Sequence, residues 1–138
     1  MNRADRFRLH YKLLGRLAVP CDLMEWAMWL EQDGGRNRRV AETTVGPLWV
    51  STVFLGLDHN FGEGDPLLFE TMIFDGGMTG RLKDSPEVLH CERTPDWAAA
   101  EVAHRTAVEA AKVMVEAAQK TLQEAAGRPP GSEAPEAG

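Results

Sequence analysis

Four residues of this 138-residue chain have side chains that could do chemistry together: Asp58, His59, Glu70 and His104. Two imidazoles and two carboxylates make a ligand set for zinc, manganese or iron, provided they converge. A small metal-dependent hydrolase would use such a set, and the set leaves the metal itself unassigned. Asp58 and His59 stand at one end of a strand–loop–strand layout. Glu70 lies early in the returning strand, and His104 sits on a helix expected to cover the sheet. No short-range motif of the H-E-x-x-H type joins them. A competing reading gives the same residues structural roles: Asp58 accepts from loop N–H groups, His59 packs over the loop, and Glu70 pairs with an arginine.

The second chemistry is a cysteine nucleophile with a histidine base. Cys91 follows His90 directly, but adjacent strand residues point to opposite faces and cannot act together. Cys21 lies just before a helix start, where a thiol pKa can fall. A buried, inert thiol is the expectation for both, free in a reducing compartment because they lack C-x-x-C spacing. The loop Gly62-Glu63-Gly64-Asp65 is not a phosphate-binding loop, since it lacks G-K-[ST] and carries acids that repel a phosphate. No cofactor is expected.

The elements that must position these groups centre on residues 49–74. Two apolar strands, 49–57 and 67–74, flank the polar loop DHNFGEGDP. In the second, Leu67, Phe69, Thr71 and Ile73 share one face, so Glu70 falls in an apolar row unless it is paired or near an open end. Upstream, 8–14 and 17–19 read as a hairpin turning at Gly15-Arg16 and ended by Pro20. Asp22 then caps a short helix with Glu25 three residues on, as in a capping box. Leu23, Trp26, Ala27 and Leu30 form its main apolar stripe, and Asp33-Gly34-Gly35 stops it. Trp29 lies off that stripe and, with Met28, marks a candidate interface. Residues 38–45 are β-branched and strand-like. Residues 81–87 read as loop and 88–93 as a short edge strand. Thr94 is read as the cap of a long helix running from about 95 to 126, with Gly127 ending it.

The fold class is therefore α+β: an antiparallel sheet of about four to six strands, with a short Trp-rich helix and a long C-terminal helix packed on it. Residues 1–126 are expected to form a single domain, and 127–138, ending RPPGSEAPEAG, a disordered tail.

The formal net charge is −6, which disfavours a general nucleic-acid surface and permits a cationic protein partner. The charge is uneven. Residues 1–39 hold Arg3, Arg6, Arg8, Lys12, Arg16, Arg36, Arg38 and Arg39, leaving room for a local basic patch. No secretory h-region and no membrane-spanning apolar run is read, so a cytoplasmic protein is expected.

The wording VSTVFLGLDH at 50–59, followed by FETM at 69–72, resembles a widespread group of small phage and prophage proteins. Upstream, Val19-Pro20-Cys21-Asp22-Leu23 with Trp26-Ala27 and Trp29 matches a second segment of that group. Thr94, Trp97, Ala100 and His104 match a third. The likeness covers roughly residues 11–112. It departs in the two residues between Thr94 and Trp97 and in a longer insertion at about 81–90. It implies a phage or prophage origin, hence a host-cell location, and no activity.

Three function classes follow. The preferred one is a non-enzymatic binding protein that occupies a host protein or sequesters a small-molecule ligand, a counter-defence role among the outcomes. The alternatives are the metal-dependent hydrolase and a phage assembly component. Ala-rich faces on the long helix suit a homodimer.

Overall fold

Gly15, with φ +62°, turns the chain tightly enough for β1 (His10–Leu14) to pair antiparallel with β2 (Leu17–Cys21). The computed structural model describes residues 10–60, 62–76 and 87–127. Of the tail expected at 127–138, residues 128–138 lie outside the described residues, as do 81–86 of the loop expected at 81–87; Glu87 belongs to a strand, where it pairs with Asp75. Pro20 does not end the hairpin. It sits opposite Tyr11 within β2, which is tolerated because a two-stranded sheet has only edges.

Asp22 caps α1 (Leu23–Glu31), its carboxylate accepting from the Glu25 N–H at 2.8 Å. That backbone bond holds the Asp22 carboxyl below its ordinary value of 3.8. After α1 the chain reverses through Gly34 (φ +59°) and Gly35 (φ +83°) and makes one 3₁₀ turn, Arg36–Arg38.

Four strands then build the main sheet in sequence order: β3 (Arg39–Val45), β4 (Leu48–Phe54), β5 (Phe69–Asp75) and β6 (Glu87–Thr94), all antiparallel. The fold is α+β, with a two-stranded and a four-stranded sheet. Helix α2 (Trp97–Ala126) lies across β3, β4, β5 and β6. Thr94 is not its cap. Thr94 remains in β6, where its carbonyl accepts from the Leu68 N–H, and Asp96 caps the helix by accepting from the Ala99 N–H at 2.8 Å.

Small residues let α2 approach closely. Ala100, Ala103, Ala107 and Ala111 are all buried, at helical spacing, against the sheet. Leu48, Val50 and Ile73 pack under Ala107 and Ala111. Tyr11, Leu13, Phe54, Leu68 and Phe69 form a second cluster with Ala100, which ties the hairpin to the sheet. Residues 116–126 of α2 are exposed throughout. No described helix is long and apolar enough to cross a membrane.

Candidate functional site

The four residues singled out for metal chemistry divide between places the fold keeps apart. Asp58 ends the strand–loop transition. Its carboxylate accepts from the Asn60 N–H (2.8 Å) and the Leu67 N–H (3.1 Å), closing the loop upon itself. Replacing it with Ala is expected to cost about 1–3 kcal/mol, because two half-buried donors lose their acceptor. Urea denaturation checks this, and Asp58→Asn, which keeps a carbonyl acceptor, should lose less. His59 is half-buried beside it, and its backbone N–H donates to the Leu67 carbonyl at 3.2 Å.

Glu70 points to the face away from α2, since its neighbours Phe69 and Thr71 are fully buried beneath that helix. There it pairs with Arg93 across the β5–β6 ladder at 3.2 Å. His104 projects from α2 onto the opposite face. The sheet therefore stands between Glu70 and His104. Among the described residues, no three His, Cys, Asp or Glu side chains gather as a metal would need.

His104 belongs to a buried polar row instead. Its Nδ1 lies 2.8 Å from Thr52 Oγ1 and its Nε2 2.9 Å from Thr43 Oγ1. Thr52 Oγ1 is in turn 2.8 Å from Thr71 Oγ1. A neutral imidazole has one donor and one acceptor, and three hydroxyls in line can orient to satisfy both. Burial, and secondarily the Arg39 charge, hold the His104 pKa below its ordinary 6.5. The threonines come from three adjacent strands.

Neither cysteine is in a disulfide. Cys21 is buried as expected. Cys91 is exposed, on the edge strand β6, and partial burial together with the nearby Glu70 carboxylate raises its thiol pKa. A raised pKa reduces the reactive thiolate.

The most distinctive surface is α1. Trp29 does not face outward: its ring meets Phe54 edge-on at 5.4 Å and packs against the core. Trp26 tilts over His10 at 5.3 Å. Lys12 pairs with Glu25 at 3.2 Å, and the Asn37 side chain donates to the Trp29 carbonyl. These contacts fix the rotation of the helix. They leave Met24 and Met28, one turn apart, 69% and 60% exposed, and Leu23 60% exposed at the helix start. Leu23 was expected on the buried stripe, but the two tryptophans, the larger apolar surfaces, take that side. The helix contains Glu25 and Glu31 and no basic residue, and Asp22 and Asp33 flank it.

Comparison with protein-family models, with curated proteins and with solved structures gives no match.

Proposed function

We propose that this chain is a non-enzymatic binding protein of phage or prophage origin that acts by docking α1 into an apolar groove of a host protein. The observation that carries this reading is the exposed Leu23–Met24–Met28 surface on a helix already anchored by Trp26 and Trp29. Methionine is flexible and polarisable and suits contact surfaces. An amphipathic helix laid in a groove is a recurrent recognition mode. Because α1 is held before binding, little ordering entropy opposes association.

Charge selects the partner. Every ionisable residue from Asp22 to Asp33 is acidic, so the fitting groove is rimmed by Lys or Arg. A two-fold pairing of α1 with itself would bring acids toward acids, which disfavours a second copy as the occupant.

The test places a photo-reactive amino acid at position 28 of the full chain in host cells, with a control at position 112 on α2. A discrete adduct from position 28 alone, with a protein whose groove is basic-rimmed, is expected. With that protein purified, Met24→Ser/Met28→Ser should weaken Kd by about thirtyfold, the equivalent of roughly 2 kcal/mol for lost anchors. The fold should hold, because both side chains are exposed. Equal adducts from both positions, or unchanged affinity in the variant, would refute the reading. Adducts only with a second copy would assign the face to self-association instead.

A further inference from the structure

A second surface carries the opposite charge. Three arginines fall within four residues, Arg36, Arg38 and Arg39, in a chain whose net charge is −6. They line one concavity of about 680 Å³ together with Gly34, Gly35 and Glu42. The loop that presents them is built rather than loose. The Arg36 N–H donates to the Asp33 carbonyl at 3.1 Å, and the intervening Asn37 is anchored to Trp29. Gly34 and Gly35 both have positive φ, which only glycine adopts cheaply, and a Cβ at Gly34 would meet nothing within 4 Å. The backbone on that wall is bare and faces open space.

The three guanidiniums are not equivalent. Arg39 is engaged: it pairs with Glu42 at 3.4 Å, donates to Ser51 Oγ, and lies 5.7 Å from the Trp49 ring centroid. Arg36 and Arg38 make no ion pair and no side-chain hydrogen bond among the described residues. Glu42 offsets one charge of the three, so two cations of the lining are left uncompensated. Clustered like charges repel, and no ion pair or side-chain hydrogen bond among the described residues offsets Arg36 and Arg38. Guanidinium forks match phosphate oxygens in a planar, bidentate geometry.

We propose that the Arg36–Arg38–Arg39 concavity binds the pyrophosphate moiety of a small phosphorylated ligand. Arg36 and Arg38 supply the charge, one to each phosphoryl group, and the glycine wall lets the ligand approach the backbone. Glu42 holds Arg39 in place. The site is separate from the exposed Met24 and Met28 of α1, so either assignment can fail without the other.

Titration calorimetry of the full chain tests this with inorganic pyrophosphate, ADP and sulfate at one fixed ionic strength. Pyrophosphate or ADP is expected to bind with Kd of about 1 mM or tighter. Arg36→Ala/Arg38→Ala should weaken this by about tenfold or more, while Arg36→Lys/Arg38→Lys, which keeps charge but not the fork, falls between. ADP tighter than pyrophosphate would place a nucleotide in the site; equal affinity would mean that the phosphates alone are read. No binding of either, full binding by the alanine variant at an unchanged melting temperature, or equal binding of sulfate would overturn the assignment. So would tighter binding of a single-stranded oligonucleotide, which would make the surface a nucleic-acid contact.

Discussion

Gly56→Ala is expected to destabilise the protein by about 2–5 kcal/mol, a large part of the roughly 5–15 kcal/mol that holds a domain folded. Two costs add. Gly56 has φ +74°, and an L-residue there costs about 1–2 kcal/mol. The added Cβ would stand 2.2 Å from Trp26 Nε1 and 3.0 Å from the Tyr11 carbonyl oxygen. Overpacking of that kind costs about 1–3 kcal/mol. Moving the indole would disturb its contact with His10, whose ring centroid lies 5.3 Å away. The carbonyl cannot move without straining the hairpin, since the Tyr11 N–H donates to the Gly56 carbonyl at 2.8 Å. Hairpin, α1 and sheet thus meet at one glycine. Gly15→Ala is the control: φ is +62° but nothing lies within 4 Å. It should show the backbone cost alone. Equal denaturation midpoints for the two variants would remove the packing argument. Because Trp26 sets the rotation of α1, Gly56→Ala should also weaken any partner held by Met24 and Met28.

Local rules carried most of the elements. Alternation gave β5 and placed Thr71 with Phe69 and Ile73. Capping chemistry gave α1 at Asp22, and the Glu70–Arg pairing was foreseen as the alternative to a metal site. Errors arose where two local signals competed. Thr94-Pro95-Asp96 offers two cap residues, and the cap fell to Asp96 because pairing with β5 keeps Thr94 in the strand. On α1 the apolar residues go almost all round the helix, so periodicity alone could not tell which side the tryptophans would take. Which strand lies beside which is a long-range fact that no window contains. His104 was visible as a chemical residue, yet Thr43 and Thr52 became its partners only through strand register. The arginine cluster was visible as composition, but its convergence depends on the two positive-φ glycines.

The His104 row predicts a loss of stability in mild acid. The folded-state pKa is depressed below 6.5, by burial first and by Arg39 second. As pH falls through 6.5 the unfolded chain takes up a proton at this site that the folded protein resists. Stability is therefore fully present above about pH 6.5, declines between 6.5 and the folded pKa, and levels off below it. The contribution from one site has a slope of at most about 1.4 kcal/mol per pH unit. Around the imidazole, Arg16, Arg105 and Glu101 line the adjacent cleft, where Arg16 pairs with Glu101 at 3.7 Å. The hydroxyls of Thr43 and Thr52 can accept from both N–H groups of an imidazolium, so desolvation and the Arg39 charge oppose protonation rather than a missing acceptor. Urea midpoints for wild type and His104→Gln between pH 8 and pH 5 test this. The variant should be less stable than wild type at pH 8, through lost packing and imperfect hydrogen bonding. Its pH slope should be shallower below 6.5. Parallel slopes would show that His104 does not titrate on unfolding. A steeper wild-type slope would mean that acid acts where α2 meets the sheet, at the His104 contacts with Thr43 and Thr52.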